Sequence, residues 1–554
     1  MIKNDQHSKK VMSIQRVNAT IHRMSFVVPV DTKISDIKNK LSTCMHCEEL
    51  HIHALQRTYF DSFDWRIFCA GGVIEEESGN GGFTLRWRNF VSNEIYGNTS
   101  INNTVRFAWD LPDCVLRERL EPILEMRAML PLLHMNCKVH GLIVLNKENK
   151  TVARLGIEEN RILGLTKSKP RKLPAILYVE SVKGYDAVFK EVLQVINQQL
   201  ALKVDNQGMV QRAMTAVELR PGAYSFNLNL KLSSETPIAV VIRNILLRLL
   251  EIMKANEWGI RTDLDTEFLH DFRVAIRRSR SALGQIRGVL PHSIWDQFSR
   301  KFAWLGEITG PTRDLDVYLL NFGAYKNSLP LPVRDDLDPL YYFLRKHRII
   351  EHKKLVTYLE STRYRKMMAA SLAYLKAPLP ARSILPNANR PVLDVANQRI
   401  WRMVRRVIRE GEAINASSPP EDLHELRKSC KKLRYLMEFF QSLYPSDEIK
   451  QLIKSLKLLQ NQLGEYQDLH VQLASLATFR NQMKSESGAT DRTLVAIDII
   501  LQTLEQRQSQ VRKMFKARFA IFAENKNRIA FSKLFKPRIQ KEARAHEDHC
   551  LLQH

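Results

Sequence analysis

Two stretches of the sequence decide the fold: FLHDFRVAIRRSRSAL at residues 268–283 and DLHELRKSCKKLRYLM at residues 422–437. The histidine of the first stretch, His270, corresponds to His424 of the second, at an offset of 154 residues. The same offset relates the basic residues: Arg273 to Arg427, Arg277 to Lys431, Arg278 to Lys432 and Arg280 to Arg434. An internal repeat of this kind predicts two copies of one structural unit, related by pseudo-two-fold symmetry.

A second pair of similar stretches follows each copy. WLGEITGPTRDLDV at residues 304–317 resembles QLGEYQDLHV at residues 462–471, and the first of the two carries four extra residues around Gly310 and Pro311. Asp314 and Asp468 correspond at the original offset of 154 residues. The repeat therefore extends well beyond the first matching helix.

The repeated stretch predicts an amphipathic helix with a basic stripe beside its apolar stripe. At about 100° per residue, the histidine and three of the arginines in the first copy share an arc of about 80°. The adjacent arc is apolar in both copies, and it contains Leu269, Phe272, Ile276, Leu283, Leu423, Leu426, Cys430 and Leu433. A basic stripe next to the core predicts a groove or a seam between helices. The alternative is a solvated run of charges balanced by local acids, although no acid lies within the arc.

The two parts of the chain differ in their hydrophobic pattern. Up to about residue 210, β-rich runs predict strands, with helices near 113–128 and 185–202; the runs are 66–74, 81–90, 104–111, 139–146 and 174–182. EEESGNGG at 75–82 predicts a hairpin turn. From about residue 236 the 3–4 residue apolar spacing predicts helices, interrupted at prolines such as Pro330, Pro378 and Pro419. We therefore predict an α+β protein with an amino-terminal domain at 12–205, a linker at 206–235 and a helical domain at 236–545.

The charge is concentrated in the helical part. The chain has 554 residues and a formal net charge of +25, of which residues 231–554 contribute +19 and residues 1–230 contribute +6. No apolar stretch of about 20 residues and no secretory signal is visible. We expect a soluble cytoplasmic protein that does not enter membranes and that binds a polyanion through its helical domain.

The doubled motif resembles the CHAD domain over about residues 236–545. The resemblance is carried by LHDFRVAIRRSRSAL with the later RDLDV, by LHELRKSCKKLRYLMEFF with LQNQLGEYQDLH, and by LESTRYRKMMAASLAYL between them. It implies two antiparallel helical bundles around a basic cavity that binds inorganic polyphosphate. The implied anion contacts are His270, Arg273, Arg277, Arg278, Arg280, His424, Arg427, Lys431, Lys432 and Arg434, with Arg248, Arg402, Arg405, Arg406 and Arg409 as additions.

The amino-terminal part resembles the CYTH domain, an antiparallel β tunnel that binds triphosphate with the help of a divalent metal. The resemblance rests on stretches such as TYFDSFDWRIFCAGGVIEE, FTLRWRN and ILYVESVKGYDAVFKEV. The expected first strand, NATIHRMSFVV, lacks the alternating glutamates that hold the metal, so the resemblance implies a degenerate tunnel. Its candidate anion contacts are Arg86, Arg88, Arg106, Arg154 and Lys183, and its candidate carboxylates are Glu158 and Glu180.

Two functions from different classes follow from these resemblances. The first is non-catalytic binding of polyphosphate, in an adaptor role or at polyphosphate granules, without catalytic residues, cofactors or bound metal. The alternative is a triphosphatase that uses Mg²⁺ or Mn²⁺ in the amino-terminal tunnel. Nucleic-acid binding is disfavoured because the sequence contains no recognised nucleic-acid motif. The sequence does not predict the oligomeric state.

Overall fold

The computed structural model describes residues 23–79, 82–90, 94–163, 170–226, 228, 230–378, 383–486 and 490–537. The chain divides into two compact units, at residues 1–224 and 225–554.

One antiparallel sheet forms most of the described amino-terminal unit. Its strand order is β11-β1-β10-β8-β7-β3-β4-β5-β6, with β2 beside β7 and β9 beside β8. The strands are β1 (Arg23–Val27), β2 (Cys47–Glu49), β3 (His53–Asp61), β4 (Gly72–Gly79), β5 (Gly82–Asn89), β6 (Ile95–Ile101), β7 (Leu130–Leu145), β8 (Thr151–Leu163), β9 (Arg171–Lys172), β10 (Ile176–Ser181) and β11 (Lys203–Val204). The predicted hairpin is confirmed, because β4 pairs with β5 in antiparallel register and Gly82 has a φ of 118°. Residues 80 and 81 of that turn lie outside the described residues.

Short helices surround this sheet. They are α1 (Ile34–Cys44), α2 (Arg66–Cys69), α3 (Val115–Leu124), α4 (Asp186–Val195) and α5 (Met209–Ala216). Helices α3 and α4 fall in the two predicted helical segments. Helix α5 lies in the segment that the sequence suggested as a linker.

Two of the predicted strands differ from the structure because carboxylates hold the local backbone in helical turns. The side chain of Asp61 accepts hydrogen bonds from the amides of Ile67 and Phe68, which fixes α2 where the run 66–74 predicted a strand. In the run 104–111, Asp110 accepts from the amides of Arg106 and Phe107, and Ala108–Asp110 form a 3₁₀ turn. Such side-chain caps compete with strand formation at residues of high β propensity.

The second unit is helical. Its helices are α6 (Ile238–Arg261), α7 (Thr266–Gln285), α8 (His292–Ile308), α9 (Gly310–Ser328), α10 (Asp338–Glu360), α11 (Thr362–Lys376), α12 (Val392–Ala413), α13 (Pro420–Phe440), α14 (Ser446–Ser485), α15 (Asp491–Lys513), α16 (Phe515–Phe522) and α17 (Asn525–Phe535). The predicted breaks at the prolines fall between these helices. None of the described helices is both long enough and apolar enough to cross a membrane.

Reciprocal hydrogen bonds relate the two copies of the repeat. The amide of Ile238, at the start of α6, donates to the carbonyl of Arg390 at 2.9 Å. The amide of Val392, at the start of α12, donates to the carbonyl of Thr236, also at 2.9 Å. Adding 154 to the donor's number in the first bond gives the donor of the second, and subtracting 154 from the acceptor's number gives its acceptor. The predicted pseudo-two-fold relation is therefore present at the starts of α6 and α12.

The four extra residues of the first copy divide one helix into two. The second copy has the uninterrupted 40-residue helix α14 where the first copy has α8 followed by α9. The break falls at Thr309, directly before Gly310 and Pro311. Pro311 cannot donate a helical hydrogen bond, and proline fits best in the first turn of a new helix, where it stands in α9.

Candidate functional site

Helices α7 and α13 carry the repeated motif and pack against each other. Asp265 caps the start of α7 by accepting hydrogen bonds from the amides of Glu267 and Phe268. The apolar stripes of both helices are buried, as the spacing predicted; every one of the eight residues is at most 4% exposed. The basic stripes next to them are therefore held against the helical core.

The two basic stripes meet, and the cations that repel one another there form what we call the central cluster: Arg273, Arg277, Arg313, Arg427, Lys431 and Arg434. Arg277 of the first copy lies close enough to Arg427 and Lys431 of the second to lower the pKa of both. Within its own copy, Arg277 also acts on Arg273 in the same direction. The predicted seam between helices thus brings cations of the two copies together.

Lys431 is the most strongly perturbed cation of the central cluster. Burial, together with repulsion from Arg427 and Arg277, lowers its pKa to about 8, while Asp468 acts in the opposite direction. No hydrogen bond or ion pair to its ammonium group occurs among the residues that the structure describes. A half-buried ammonium among arginines is costly unless an anion joins it.

The corresponding arginines Arg273 and Arg427 have different surroundings. Arg273 donates to the carbonyl of Gly306 at 3.1 Å and to the hydroxyl of Thr309 at 3.0 Å, at the break between α8 and α9. Arg427 lacks that break beside it and contacts Asp468 at 3.4 Å instead. Burial lowers the pKa of both guanidinium groups. One arginine is thus fixed by backbone and hydroxyl oxygens, and the other by a carboxylate at the surface.

Each motif histidine contacts the residue before the repeated aspartate. Nδ1 of His270 lies 3.2 Å from the guanidinium of Arg313, and Nδ1 of His424 lies 2.6 Å from the amide oxygen of Gln467. Arg313 and Gln467 correspond at the offset of 154 residues. Sequence reasoning missed Arg313, although its place beside the repeated Asp314 was the available signal.

The remaining motif cations lie around the central cluster. Arg278 and Arg434, one from each copy, share the carboxylate of Glu438 at 3.2 and 3.4 Å. Arg278 also donates to the carbonyl of Phe226, and Arg248 donates to that of Ser225. Arg280 is exposed near Gly306, and Lys432 lies near Glu425.

Four further predicted contacts line a different groove, between α12 and α17, which we call the arginine groove. Its lining includes Trp401, Arg402, Arg405, Arg406, Arg409, Arg528 and Phe531. It has a volume of about 750 Å³ and shares no lining residue with the central cluster. The resemblance placed these four arginines with the cations of α7 and α13, whereas among the described residues they line this separate groove.

The amino-terminal sheet carries a network of alternating charges on one face. Arg57 contacts Glu158 at 3.0 Å and Glu77 at 3.0 Å, and the predicted residue Arg86 also contacts Glu77 at 3.0 Å. Further along, Arg88 contacts Glu75 at 2.9 Å. Arg23 extends the same network, because it lies 3.8 Å from Glu158, contacts Glu180 at 3.1 Å and stacks on Tyr178.

These carboxylates do not fit a divalent metal. Burial raises the pKa of Glu77 and of Glu158, but the arginines around them outweigh it and keep both pKa values below the ordinary value. Guanidinium groups occupy the oxygens that a metal would need. Among the described residues, no group of three or more potential ligands is close enough to hold a metal. The network is therefore neutralised by its own arginines.

The sequence predicted only part of this network. Arg86, Arg88, Glu158 and Glu180 belong to it, whereas Arg106, Arg154 and Lys183 are exposed outside it. Sequence reasoning missed Arg23, Arg57, Glu75 and Glu77. The run Glu75-Glu76-Glu77 was a usable signal, because alternation along a strand places its first and third residues on one face. His22 of the expected first strand lies outside the described residues.

Comparison with known proteins identifies the helical unit. The family model of the CHAD domain matches residues 244–477. The chain contains a CHAD domain. No curated protein matches the sequence.

Solved structures provide likenesses to both units. The helical CHAD domain of the plant Ricinus communis is 23% identical, covering 54% of this chain and 97% of its own, with a TM-score of 0.45. The protein PptA of Streptomyces chartreusis is 14% identical, covering 51% of this chain and 99% of its own, with a TM-score of 0.41. A putative adenylyl cyclase of Hippeastrum with a dominant triphosphatase activity is 11% identical, covering 37% of this chain and 100% of its own, with a TM-score of 0.26. TM-scores below 0.5 are too low to transfer a function.

The CHAD domain includes both copies of the motif and the whole central cluster, since residues 268–283 and 422–437 both lie inside the matched range. It also includes α12 with its row of arginines. Helix α17, which forms the other wall of the arginine groove, lies beyond residue 477.

Proposed function

We propose that this protein binds inorganic polyphosphate at the central cluster of its CHAD domain. The observation that carries the proposal is the meeting of cations from both copies around Lys431, whose pKa is lowered to about 8. A linear polyanion would supply negative charge to balance these cations, and each arginine can donate two hydrogen bonds to its phosphate oxygens. Binding of this kind needs no catalytic residue, and it suits an adaptor or granule-associated role in the cytoplasm.

The geometry suits a chain of phosphates better than one small anion. Arg273 and Arg277 of one copy and Arg427 and Lys431 of the other line the same seam. Each phosphate unit carries about one charge, so several moderate contacts add up along the chain. The acids near the cluster, Asp314, Asp468 and Glu438, are fewer than its six cations. We expect one polyphosphate chain to contact both copies.

Direct binding to the full chain tests the proposal. Long-chain polyphosphate is titrated into the wild type and into the paired variant His270→Ala with His424→Ala. We expect the pair to weaken binding about tenfold, because both histidines belong to the basic stripes that meet at the seam and His270 also positions Arg313 of the cluster. The matched control is Arg300→Ala, since Arg300 is exposed and pairs with Asp296 on its own helix. Binding that is unchanged in the histidine pair would separate the histidines from the ligand.

Competition with single-stranded DNA tests the ligand class. Polyphosphate presents bare phosphate oxygens to the cations of the cluster, whereas DNA adds sugars and bases that these cations do not need to contact. We expect polyphosphate to displace DNA at a lower concentration of phosphate units. Preference for DNA under the same salt would contradict the proposal.

The alternative, a metal-dependent triphosphatase, is tested by phosphate release from tripolyphosphate with Mg²⁺ or Mn²⁺. We expect no turnover above that of a heat-denatured sample, because the sheet's carboxylates are held by arginines. Turnover that disappears in Glu158→Gln would overturn this part of the account and assign a catalytic role to the amino-terminal unit.

A further inference from the structure

The arginine groove differs from the central cluster in its origin within the repeat. The first-copy counterparts of Arg405, Arg406 and Arg409 are Glu251, Ile252 and Ala255, at the offset of 154 residues. Ile252 is buried in the first copy, where α11 packs on α6. Arg402 has a basic counterpart in Arg248, but the row of Arg405, Arg406 and Arg409 occurs in the second copy alone. In the central cluster, by contrast, Arg273 and Arg277 correspond to the cations Arg427 and Lys431.

The groove carries positive charge with little compensation. Arg406 contacts Glu410 at 2.5 Å and Arg528 contacts Glu412 at 2.6 Å. For Arg402, Arg405 and Arg409, the described residues include no carboxylate within ion-pair distance. Burial, together with repulsion from Arg402, Arg390 and Arg287, lowers the pKa of Arg399 on the same helix. The positive field therefore continues past one end of the groove.

The groove also has an apolar part to its lining. Trp401 is half-buried and lines the groove, as does Phe531 from α17, whose side chain is buried. Bare phosphate gains nothing from these side chains. A ligand that contacts the whole lining has both an anionic part and a flat apolar part.

We propose that the arginine groove binds a nucleoside polyphosphate, with its phosphates along Arg402, Arg405 and Arg409 and its base against Trp401. The ratio of aromatic side chains to arginines in the groove favours a nucleoside polyphosphate over a nucleic acid. A single half-buried aromatic beside several arginines matches one base per several phosphates, whereas a nucleic acid has one base for each phosphate. The volume of about 750 Å³ lies within the range of small-molecule sites.

Titration of the full chain with three probes tests the proposal: ATP, tripolyphosphate and adenosine, all without metal. We expect ATP to bind at least about tenfold more tightly than tripolyphosphate, since base stacking adds to the phosphate contacts. Trp401→Leu keeps an apolar side chain without a stacking surface. It should weaken ATP binding about tenfold and change tripolyphosphate binding less than about twofold.

The second pair of variants separates this groove from the central cluster. Arg405→Ala with Arg409→Ala, both exposed, should weaken ATP binding at least about tenfold without changing the melting temperature. Arg277→Ala with Lys431→Ala should leave ATP affinity unchanged while it weakens binding of long-chain polyphosphate. Equal affinities for ATP and tripolyphosphate would overturn the proposal, as would loss of ATP binding only in the central variant. Neither result would affect polyphosphate binding at the central cluster.

Discussion

At the scale of a single residue, Lys431 allows the electrostatic mechanism of polyphosphate binding to be tested. In the free protein its pKa is lowered to about 8 by burial and by Arg427 and Arg277. An anion favours the charged ammonium, so binding takes up a proton once the pH exceeds about 8. We therefore predict that polyphosphate affinity falls as the pH rises from about 8 to 10, by up to about tenfold per pH unit.

The variant Lys431→Arg tests this pH dependence. A guanidinium stays charged across the whole range, so the additional fall in affinity above pH 8 should disappear. Calorimetric titration between pH 6.5 and 9.5 measures the effect, and the same titration of Arg300→Ala gives the background. If Lys431→Arg and the wild type lose affinity in parallel, the lysine does not titrate at the site.

At the scale of the helical element, α7 and α13 present the same motif in two environments. Arg273 donates hydrogen bonds to Gly306 and Thr309 at the break between α8 and α9. Arg427 instead contacts the exposed carboxylate of Asp468. We predict that Arg273→Ala lowers the free energy of unfolding by about 1–3 kcal/mol, because hydrogen bonds from a charged donor are lost. Arg427→Ala should change it by less than about 0.5 kcal/mol while weakening polyphosphate binding.

Urea unfolding followed by circular dichroism distinguishes these two arginines, with binding measured on the same samples. Equal loss of stability in Arg273→Ala and Arg427→Ala would mean that the helix break made by the four extra residues is not what makes Arg273 important for stability. Thr309→Val removes one acceptor of Arg273 and provides a milder control.

The sheet of the amino-terminal unit makes a separate prediction. Glu158 is 5% exposed and receives two hydrogen bonds from Arg57, which also contacts Glu77. Glu158→Gln would leave the buried guanidinium without its main counter-charge. We predict a loss of about 3 kcal/mol in the free energy of unfolding of that unit. Thermal unfolding checks this, with exposed Glu148→Gln as the control, and an unchanged melting temperature would contradict a structural role for the network.

At the scale of the whole molecule, the repeat made the helical unit predictable. A motif that occurs twice at one offset carries both the helix and its buried face, so the eight apolar residues of α7 and α13 were assigned correctly. The approach of Arg277 to Lys431 was implied only by symmetry. Contacts formed by helix packing, such as Arg313 beside His270, depend on distances that no spacing along the chain encodes.

The amino-terminal sheet was harder to predict because its charges alternate over several strands. Neither Arg23 nor Arg57 stands out along the sequence, and pairing with Glu158 and Glu180 requires the register of β1, β3, β8 and β10. In the same unit, hydrogen bonds to the side chain of Asp61 stabilise a turn of helix where the sequence predicted a strand. The β propensity of these residues is outweighed there by the hydrogen bonds of a buried side-chain cap.

The central claim is that one polyphosphate chain is held by cations from both copies of the repeat. The most direct test is a double-mutant cycle of Arg277→Ala and Lys431→Ala in the full chain, one residue from each copy, measured by calorimetry with long-chain polyphosphate. We predict that each change weakens binding about tenfold and that both together weaken it further than either alone, by a factor that departs from about a hundredfold because the two cations repel each other, with Arg300→Ala unchanged. Binding that depends on only one copy, or that survives the double change, would contradict the claim.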